Sequence, residues 1–532
     1  MVPKLLCKYL MIFNPLNYTT VFLSYDEPNC EDNYKHLLTL CPNAKRVHGV
    51  QGSDNAHKEV AKLSETENVI VVDGDNKVKS YFYNTTIELA QNVDISTSVL
   101  SFSGYNTVNG NCYGNGGIKV WPTKLLQDMR THENGDKNSV DFNLSNYLEL
   151  NMIGSDVEIN GSPFQAWKAG LRESVKLSLD KNMDWRNYDR LWRWMHVGND
   201  VVNGIWAIYG ARFGYYQMML GWDYSCIKNT PYLKYKFEQI CDLYRNYIGA
   251  ETNRLGNLLR IGRNDRNIES FLTMDQSRAY KKNIPCILRS PETFLANPPK
   301  TEYDIVFISY NEEYATENYN NLLKKFPRAK RINGIKGIHQ AHIEAAKLCS
   351  TDYFWVVDAD AEIVDDFNFD FVAPFYEQPT VRVWRSKNAV NDLIYGNGGV
   401  KLLPRMNVLR MRSDKPDMTT SISELYEPVM VVSNINKFNS DPYSTWRSAF
   451  RECVKLSSQV IDRQNNEETI QRLDTWCNVG HEKRYGKYSI DGANAGREYG
   501  KRYYKDIDML MKINDYDWLK ERYDEFYRNT VQ

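Results

Sequence analysis

The sequence lacks several patterns that would place it in familiar protein classes. Its 10 cysteines contain no C-x-x-C pair and no cysteine–histidine ligand spacing, which argues against a disulfide framework and a zinc site. No apolar run reaches the roughly 18 residues of a membrane span, and the short run at residues 5–13 lacks a signal-peptide cleavage site. The net charge of −1 provides no overall field that would attract nucleic acid or anionic lipid. We therefore expect a soluble cytoplasmic protein without membrane contact, in the host cytoplasm if it is viral.

The chain is long and rich in aromatic side chains. Its 532 residues are enough for about two to four domains. Aromatic residues make up 13% of the chain, which suits a protein that stacks rings or sugars. The heavy use of Asn, Lys and Tyr is typical of viral or phage proteins.

The chain contains a long internal repeat. Residues 21–75 align with residues 306–360 without a gap, and 26 of those 55 positions are identical. Later segments also match, among them residues 113–117 with residues 395–399. Each copy is far too long for a solenoid repeat, so the pattern predicts a duplicated domain.

The second copy shows the order of elements most clearly. Apolar, β-branched runs predict strands at residues 304–310, 329–333 and 353–357. Helical spacing predicts helices at residues 318–326 and 339–349. The order β-α-β-α-β is typical of a doubly wound parallel sheet, and the absence of G-x-G-x-x-G after the first strand argues against an NAD-type fold. We therefore predict an α/β protein with two tandem doubly wound, Rossmann-like domains.

The repeat also predicts domain boundaries. Copy one is expected at residues 1–215, and copy two, with a helical tail, at residues 301–532. Residues 216–300 mix aromatic and charged residues at helical spacing and end in proline-containing stretches. This pattern predicts an intervening helical segment followed by a linker.

Each copy places an acidic pair at the end of a buried strand. Asp358 and Asp360 follow the strand in copy two, and Asp73 and Asp75 follow the matching strand in copy one. Two carboxylates one residue apart on an extended segment point to the same side. Ligands of a doubly wound sheet lie at this carboxyl edge, where few protein carboxylates and substrate phosphates together suit Mg²⁺ or Mn²⁺.

The Val-Val-Asp-Ala-Asp strand end and the preceding segment with Gly334, Gly337 and His342 resemble a known family. They are similar to the D-x-D region of GT-A-fold, nucleotide-sugar-dependent glycosyltransferases of the family 2 type. The resemblance covers about 60 residues of each copy and implies two GT-A-like domains. It further implies a nucleoside-diphosphate sugar as donor and Mn²⁺ or Mg²⁺ as cofactor. The acidic base motif that family 2 members carry downstream has no clear counterpart here.

The resemblance also implies roles for individual residues. Ser309, Tyr310 and Glu312 are expected to border the nucleotide base and ribose. Asp358 and Asp360 are expected to meet the metal, the diphosphate and the sugar, which makes Asp360 a candidate catalytic residue. The corresponding residues of copy one are Ser24, Tyr25, Glu27, Asp73 and Asp75.

Three further features complete the predicted site in copy two. Gly398 and Gly399 lie in a loop that either approaches the donor sugar or forms a tight turn, and Lys401 is a candidate phosphate contact. Glu452 is the candidate general base, with a structural ion pair as the alternative. His481 is a candidate third metal ligand, with a plain surface role as the alternative. Copy one has Asn199 at the position that corresponds to His481. We therefore expect the chemistry in copy two.

The leading hypothesis is a metal-dependent glycosyltransferase that moves a sugar from a nucleoside-diphosphate sugar to an acceptor hydroxyl. The acceptor is open among DNA, polysaccharide and protein, and it includes a hydroxymethylated base of phage DNA. A sugar-1-phosphate nucleotidylyltransferase is one alternative, although no glycine-rich phosphate loop follows the first strand. A non-catalytic carbohydrate-binding or assembly module is the other. The retained acidic pairs argue against it, because a purely structural copy needs neither aspartate.

Overall fold

A computed structural model describes most of the chain as two compact α/β units. The described residues are 11–84, 86–89, 94–114, 116–137, 139–140, 147–179, 185–244, 283–284, 287–289, 302–374, 377–396, 398–458, 466–504 and 506–530. Within these ranges, unit one comprises residues 11–244, 283–289, 374 and 377–378, and unit two comprises residues 302–373 and 379–530. No helix within these ranges is long and apolar enough to cross a membrane.

Unit one combines twelve short strands with seven helices among the residues described. The strands are β1 (Met11–Phe13), β2 (Thr19–Ser24), β3 (Lys45–His48), β4 (Asn68–Asp73), β5 (Asn76–Val78), β6 (Thr86–Leu89), β7 (Val99–Asn106), β8 (Cys112–Tyr113), β9 (Lys119–Pro122), β10 (Tyr147–Val157), β11 (Asn283–Ile284) and β12 (Ile287–Arg289). The helices are α1 (Cys30–Leu40), α2 (Ser53–Leu63), α3 (Thr123–Gln127), α4 (Pro163–Ser178), α5 (Trp185–His196), α6 (Gly204–Met219) and α7 (Thr230–Tyr244), with 3-10 turns at Pro15–Asn17 and Tyr224–Lys228.

The main sheet of unit one is mixed, which corrects the prediction of a parallel sheet. Its strand order is β11-β10-β7-β9-β4-β2-β3, and β1, β6 and β12 form a separate small sheet. Strands β3, β2 and β4 are parallel, but β9 runs antiparallel to both β4 and β7. The chain folds back after β7 through β8, which pairs antiparallel to β7. The residues described between β7 and β9 form no crossover helix, the connection that a parallel β9 would need.

The first β-α-β-α-β segment is doubly wound, as the sequence predicts. On one face of the sheet, Leu37 of α1 packs in a cluster with Phe22 and Val72. On the other face, Val60 of α2 packs in a cluster with Val71. The two helices cover opposite faces because neighbouring residues of β4 point to opposite sides of the strand.

Unit two repeats this arrangement. Its elements are β13 (Asp304–Ser309), α8 (Ala315–Lys325), β14 (Lys330–Asn333), α9 (Ile338–Leu348), β15 (Tyr353–Asp358), β16 (Ala361–Ile363), β17 (Thr380–Asn388), β18 (Ile394–Tyr395), β19 (Val400–Pro404), α10 (Arg405–Leu409), β20 (Leu425–Asn436), α11 (Pro442–Ser458), α12 (Asn466–Asn478), α13 (Gly486–Arg502), α14 (Ile507–Met511) and α15 (Tyr516–Thr530), with 3-10 turns at Thr419–Ser421 and Lys512–Asn514. The strand order is β14-β13-β15-β19-β17-β20-β16, again with β19 antiparallel to its neighbours.

The helical end of unit one differs from the predicted segment at residues 216–300. The predicted boundary at residue 215 falls inside α6, and α7 packs within unit one. Helix α7 aligns with α15 of unit two at an offset of 286, so that the buried pair Ile227 and Leu233 matches the buried pair Ile513 and Leu519. The repeat therefore includes this helix in both copies. The rest of the predicted segment and the linker lie outside the described residues, apart from β11 and β12.

Candidate active site

The turn that carries the two aspartates, here called the acidic turn, is held in the same way in both units. In unit one, the side-chain amide of Asn33 on α1 donates to the carbonyl oxygen of Gly74 across 3.2 Å. In unit two, Asn318 on α8 donates to the carbonyl oxygen of Ala359 across 2.8 Å. Each asparagine is buried and fixes the residue between the two aspartates. Sequence reasoning assigned no role to these asparagines, although their repetition was the available signal.

A third carboxylate lies near each acidic pair. The Oε2 atom of Glu27 accepts from the backbone N–H of Tyr25 across 2.7 Å, which places it against the turn at Gly74. Burial, together with the charges of Asp73 and Glu27, raises the pKa of Asp75 to about 7. Neighbouring negative charges favour a proton on one of the carboxylates, and carboxylate oxygens are donors that Mg²⁺ and Mn²⁺ accept.

Unit two repeats this acidic turn in detail. Glu312 accepts from the backbone N–H of Tyr310 across 2.7 Å. Burial raises the pKa of Asp360 to about 7, with further contributions from Asp358 and Glu312. Both units therefore concentrate negative charge at the carboxyl end of the central parallel strands.

The two serines that were predicted to border the nucleotide form hydrogen bonds with residues on neighbouring strands. Ser24 accepts a hydrogen bond from Nε of Arg46 on β3 across 3.1 Å. Ser309 accepts one from Nε of Arg331 on β14 across 2.9 Å. These bonds explain the repeated serine–arginine pairs as structural. Contact of either serine with a nucleotide stays a prediction.

Unit one has a cleft of about 820 Å³ at this edge of the sheet. Both aspartates of the pair, Asp73 and Asp75, line it, together with Ser24, Tyr25 and Glu27. The structure thus brings the five residues that were predicted for copy one to one cavity. A cleft at the carboxyl ends of the strands is the place where doubly wound sheets bind ligands.

A row of basic side chains on α4 lines the same cleft, a feature that sequence reasoning missed. Lys168, Arg172 and Lys176 follow one another at intervals of four residues and therefore lie on one face of the helix. Each of these basic residues directly follows a buried apolar residue, as Arg172 follows Leu171. The helix begins at Pro163, and Ser162 caps it by accepting from the N–H of Gln165.

These basic groups have different surroundings. Burial lowers the pKa of Lys168, while Asp26, 3.8 Å from its ammonium, partly opposes that effect. Lys176 donates to Glu173 across 3.2 Å. Arg172 is half-buried in the cleft wall and carries a planar group that matches two phosphate oxygens. Burying positive charge costs free energy that an anionic ligand would recover.

The glutamate beside Arg172 belongs to a hydrogen-bonded chain. Trp194 donates from Nε1 to the hydroxyl of Tyr113 across 3.1 Å, and that hydroxyl donates to Glu173 across 2.9 Å. All three residues line the cleft of unit one.

The same chain occurs in unit two around the predicted base Glu452. Trp476 donates to Tyr395 across 3.0 Å, and Tyr395 donates to Glu452 across 2.8 Å. Arg451, the residue before Glu452, donates to the carbonyl oxygen of Ile513. The role of Glu452 as a general base, or as a structural group, stays a prediction.

Close packing explains the glycine-rich loop. Gly398 has a φ of +95°, and a Cβ atom on Gly399 would lie 2.5 Å from Nδ2 of Asn434. At the matching Gly117, a Cβ atom would lie 2.0 Å from the carbonyl oxygen of Phe102. The tight-turn alternative therefore accounts for these glycines, and a contact with the donor sugar stays a prediction. The asparagine inside each loop lies outside the described residues.

Lys401 pairs with the acidic strand end, whereas sequence reasoning proposed a phosphate contact. Its ammonium lies 2.8 Å from both carboxylate oxygens of Asp358. In unit one, the matching Lys119 lies 3.8 Å from Asp73 and donates to the carbonyl oxygen of Gly117 across 3.1 Å. The buried lysine of unit two thus neutralises charge that a cation would otherwise neutralise.

His481 does not complete a metal-binding group with the acidic pair among the described residues. It is exposed in the turn after α12. Within the described ranges, no group of three or more His, Cys, Asp or Glu residues is arranged to hold a metal ion, so His481 does not join Asp358 and Asp360 in such a group. The aspartate pair and substrate oxygens would have to supply the ligands.

The candidate site is defined by the repetition of its parts. The acidic turn, the asparagine that holds it and the Trp–Tyr–Glu chain occur in both units with the same hydrogen-bond partners. No protein-family model matches the chain, and a search of curated proteins finds none with a similar sequence.

Proposed function

We propose that unit one is a metal-dependent glycosyltransferase of GT-A-like fold that uses a nucleoside-diphosphate sugar as donor. The observation that carries this proposal is one cleft in which Asp73 and Asp75 share the lining with Lys168 and Arg172. A diphosphate needs both a divalent cation and direct cationic partners, and this cleft offers residues for both.

The residues of the acidic turn would hold the metal. Asp73 and Asp75 would bind Mn²⁺ or Mg²⁺, whose charge would stabilise the departing diphosphate when it is bound. Asn33 keeps the turn in place through the carbonyl oxygen of Gly74. Glu27 holds the loop that carries Tyr25 beside this turn.

The basic row and the hydrogen-bonded glutamate supply the remaining roles. Arg172 binds the diphosphate through its planar guanidinium, and Lys168 adds positive charge beside it. Glu173 accepts the proton of the acceptor hydroxyl as the new bond to the sugar forms and the bond to the diphosphate breaks. Tyr113 orients the Glu173 carboxylate by donating to one of its oxygens.

This proposal moves the chemistry from unit two to unit one. Copy two was favoured because His481 was a candidate metal ligand, but that side chain is exposed and forms no metal-binding group with Asp358 and Asp360 among the described residues. Asp358 is already paired with Lys401 through both oxygens. The open cleft of unit one and the longer Lys119–Asp73 distance support the first copy instead.

A donor screen tests the proposal. Full-length protein is incubated with Mn²⁺ and a panel of nucleotide sugars, and release of the nucleoside diphosphate is measured. The wild type is expected to turn over one donor class, Asp75→Asn to lose this activity, and Asp360→Asn to keep it. Loss in Asp360→Asn alone would return the chemistry to unit two.

Acceptors and the alternative enzyme class are distinguished in the same assay. Adding DNA with hydroxymethylated bases, a polysaccharide or a protein acceptor is expected to increase release with one of them. A nucleotidylyltransferase would instead form pyrophosphate from a nucleoside triphosphate and a sugar-1-phosphate. Absence of donor turnover and donor binding across the whole panel would contradict the glycosyltransferase proposal.

A further inference from the structure

The basic row of unit one has a counterpart on α11 of unit two, but its surroundings differ. At an offset of 279, positions 168, 172 and 176 of α4 correspond to positions 447, 451 and 455 of α11. In unit one the three side chains line an open cleft. In unit two they contact residues of their own unit, mainly from the segment at residues 513–516. The residues compared are Lys168, Arg172, Lys176, Arg447, Arg451 and Lys455.

Arg451 is bonded to this segment through two different nitrogen atoms. Its Nε donates to the carbonyl oxygen of Ile513 across 2.8 Å, and Nη2 donates to Oδ1 of Asn514 across 3.1 Å. Asn514 is fixed in turn, since its amide donates to the carbonyl oxygen of Pro416 across 3.0 Å. The two oxygens thus accept from Nε and Nη2 of Arg451, a pair of donors that a guanidinium can also offer to two phosphate oxygens.

Tyr516, the first residue of α15, covers the remaining charge. Its ring lies 4.6 Å from the guanidinium carbon of Arg447 and 5.4 Å from that of Arg451. The ring also meets Tyr310 edge-on, with 6.2 Å between centroids. Its carbonyl oxygen accepts from the hydroxyl of Tyr443 across 3.0 Å. Tyr516 therefore stacks on the cationic groups of this site.

Unit one has a small residue at the position of Tyr516. The offset of 286 aligns Tyr516 with Thr230, which lines the open cleft. Tyr25, the counterpart of Tyr310, lines that cleft as well and is 39% exposed. At the same offset, Asn514 aligns with Lys228, which also lines the open cleft, so the two sites differ at both of these positions.

The third basic residue of unit two is also engaged. Lys455 donates to the buried Asp417 across 2.9 Å. By contrast, the Lys336–Asp517 pair beside Tyr516 is exposed and contributes little to holding the segment. The contacts of Arg447 and Arg451 are therefore the main ones between the segment and the basic row.

We propose that unit two contains a second anion-binding cleft for phosphate-bearing ligands, and that residues 513–516 cover it as an internal stand-in for the ligand. The ligand class, a nucleoside diphosphate, rests on the proposed function of unit one. Arg447 and Arg451 are its binding residues, and Tyr516 blocks access to them. An added ligand must displace these contacts before it binds, which lowers its apparent affinity for the covered unit.

Binding stoichiometry tests this inference on the full-length chain. UDP, GDP and inorganic pyrophosphate, each with Mn²⁺, are titrated by calorimetry into the wild type and into Tyr516→Thr. We expect one bound ligand per chain in the wild type and two in Tyr516→Thr. Tyr516→Phe keeps the ring and is expected to remain at one. Adding Arg451→Ala to Tyr516→Thr is expected to weaken the new site at least tenfold.

The reciprocal change addresses unit one. Thr230→Tyr is expected to reduce binding from one ligand to none, because the ring would enter the open cleft. A folded Tyr516→Thr protein that binds no more ligand than the wild type overturns the inference. If the wild type binds none of the three probes and Tyr516→Thr binds one, the covered cleft is supported while the proposed function of unit one fails.

Discussion

Tyr113 donates a hydrogen bond from its phenolic hydroxyl to Glu173 across 2.9 Å. Burial and the charge of Glu173 raise the pKa of Tyr113 well above its usual value, so the phenol keeps its proton at neutral pH. The same hydroxyl accepts from Trp194, which fixes the direction in which it donates. The second oxygen of Glu173 accepts from Lys176. The carboxylate is therefore held in one orientation in the wall of the cleft.

Glu173→Gln is expected to reduce turnover by roughly 10²–10⁴-fold, the usual contribution of a general base. Affinity for the nucleoside diphosphate should change by less than about twofold, because the diphosphate is bound by other groups. Steady-state kinetics and calorimetric titration measure the two effects separately. Glu452→Gln is the matched variant, since Glu452 has the same tyrosine and tryptophan partners in unit two. An equal loss of turnover in that variant would contradict the assignment to unit one.

Mn²⁺ is expected to raise the melting temperature of the wild type, because a ligand that binds only the folded state stabilises it. At a concentration 100 times Kd the gain is about 2.7 kcal/mol. Asp75→Asn should abolish this gain, and without metal it should be at least as stable as the wild type, since it removes repulsion with Asp73 and Glu27. Scanning calorimetry with and without Mn²⁺ checks both effects. A metal-dependent gain that persists in Asp75→Asn would place the cation elsewhere.

Asp304 is expected to make unit two sensitive to acid. Burial alone would raise the pKa of Asp304, but hydrogen bonds from Lys330, Ser350 and Thr351 outweigh burial and lower it to about 2. A lowered pKa means that the stabilisation is complete above about pH 5 and is lost as the pH falls toward 2. Asp304→Asn should therefore cost about 1 kcal/mol at pH 7, after allowance for solvent screening, and the difference should disappear below pH 2.

Denaturant unfolding at several pH values measures this difference. Glu302→Gln is the control, because the Glu302–Arg328 pair lies at the surface with both side chains mostly exposed. Its unfolding midpoint should not move at any pH. A constant difference between wild type and Asp304→Asn from pH 7 to pH 2 would show that the carboxylate charge is not the cause.

Gly399→Ala is expected to destabilise unit two by about 1–3 kcal/mol, as overpacking does in a tight core. The new methyl group would lie 2.5 Å from Nδ2 of Asn434, which is buried and bonded to Ser386. Gly396→Ala, in the same loop, is the control, since its nearest neighbour would be 3.5 Å away. Chemical denaturation compares the two variants. Equal stability would indicate that Gly399 is kept for another reason, such as contact with a ligand.

The sequence predicted the elements of the first β-α-β-α-β segment closely. The strand predicted at residues 353–357 is Tyr353–Asp358 in the structure, and the helix predicted at residues 339–349 is Ile338–Leu348. These elements depend on the spacing of apolar residues within short stretches, which can be seen without the fold. The antiparallel strand β19 was missed because strand direction depends on how distant segments pair.

The candidate site was predicted only in part. Asp73 and Asp75 could be recognised because a polar pair directly follows an apolar strand. The cleft-facing role of Arg172 could not, since an arginine on an amphipathic helix usually faces solvent, and only the packing of α4 against α6 and α7 sets it in the wall of a cavity. Lys401 likewise became the partner of Asp358 through an antiparallel pairing that the sequence did not reveal.

The sequence by itself determined the duplication, the order of the parallel elements and the acidic strand ends, because each depends on residues close together along the chain. Only the tertiary structure showed that the basic residues of α4 line a cleft in unit one and that Tyr516 covers their counterparts in unit two. Thr230 comes 58 residues after Arg172, and Tyr516 comes 65 residues after Arg451. The residues around neither position indicate a contact with the arginine. Contacts between the last helix and the basic row join residues that are distant along the chain, so they exist only after the last helix of each unit has packed.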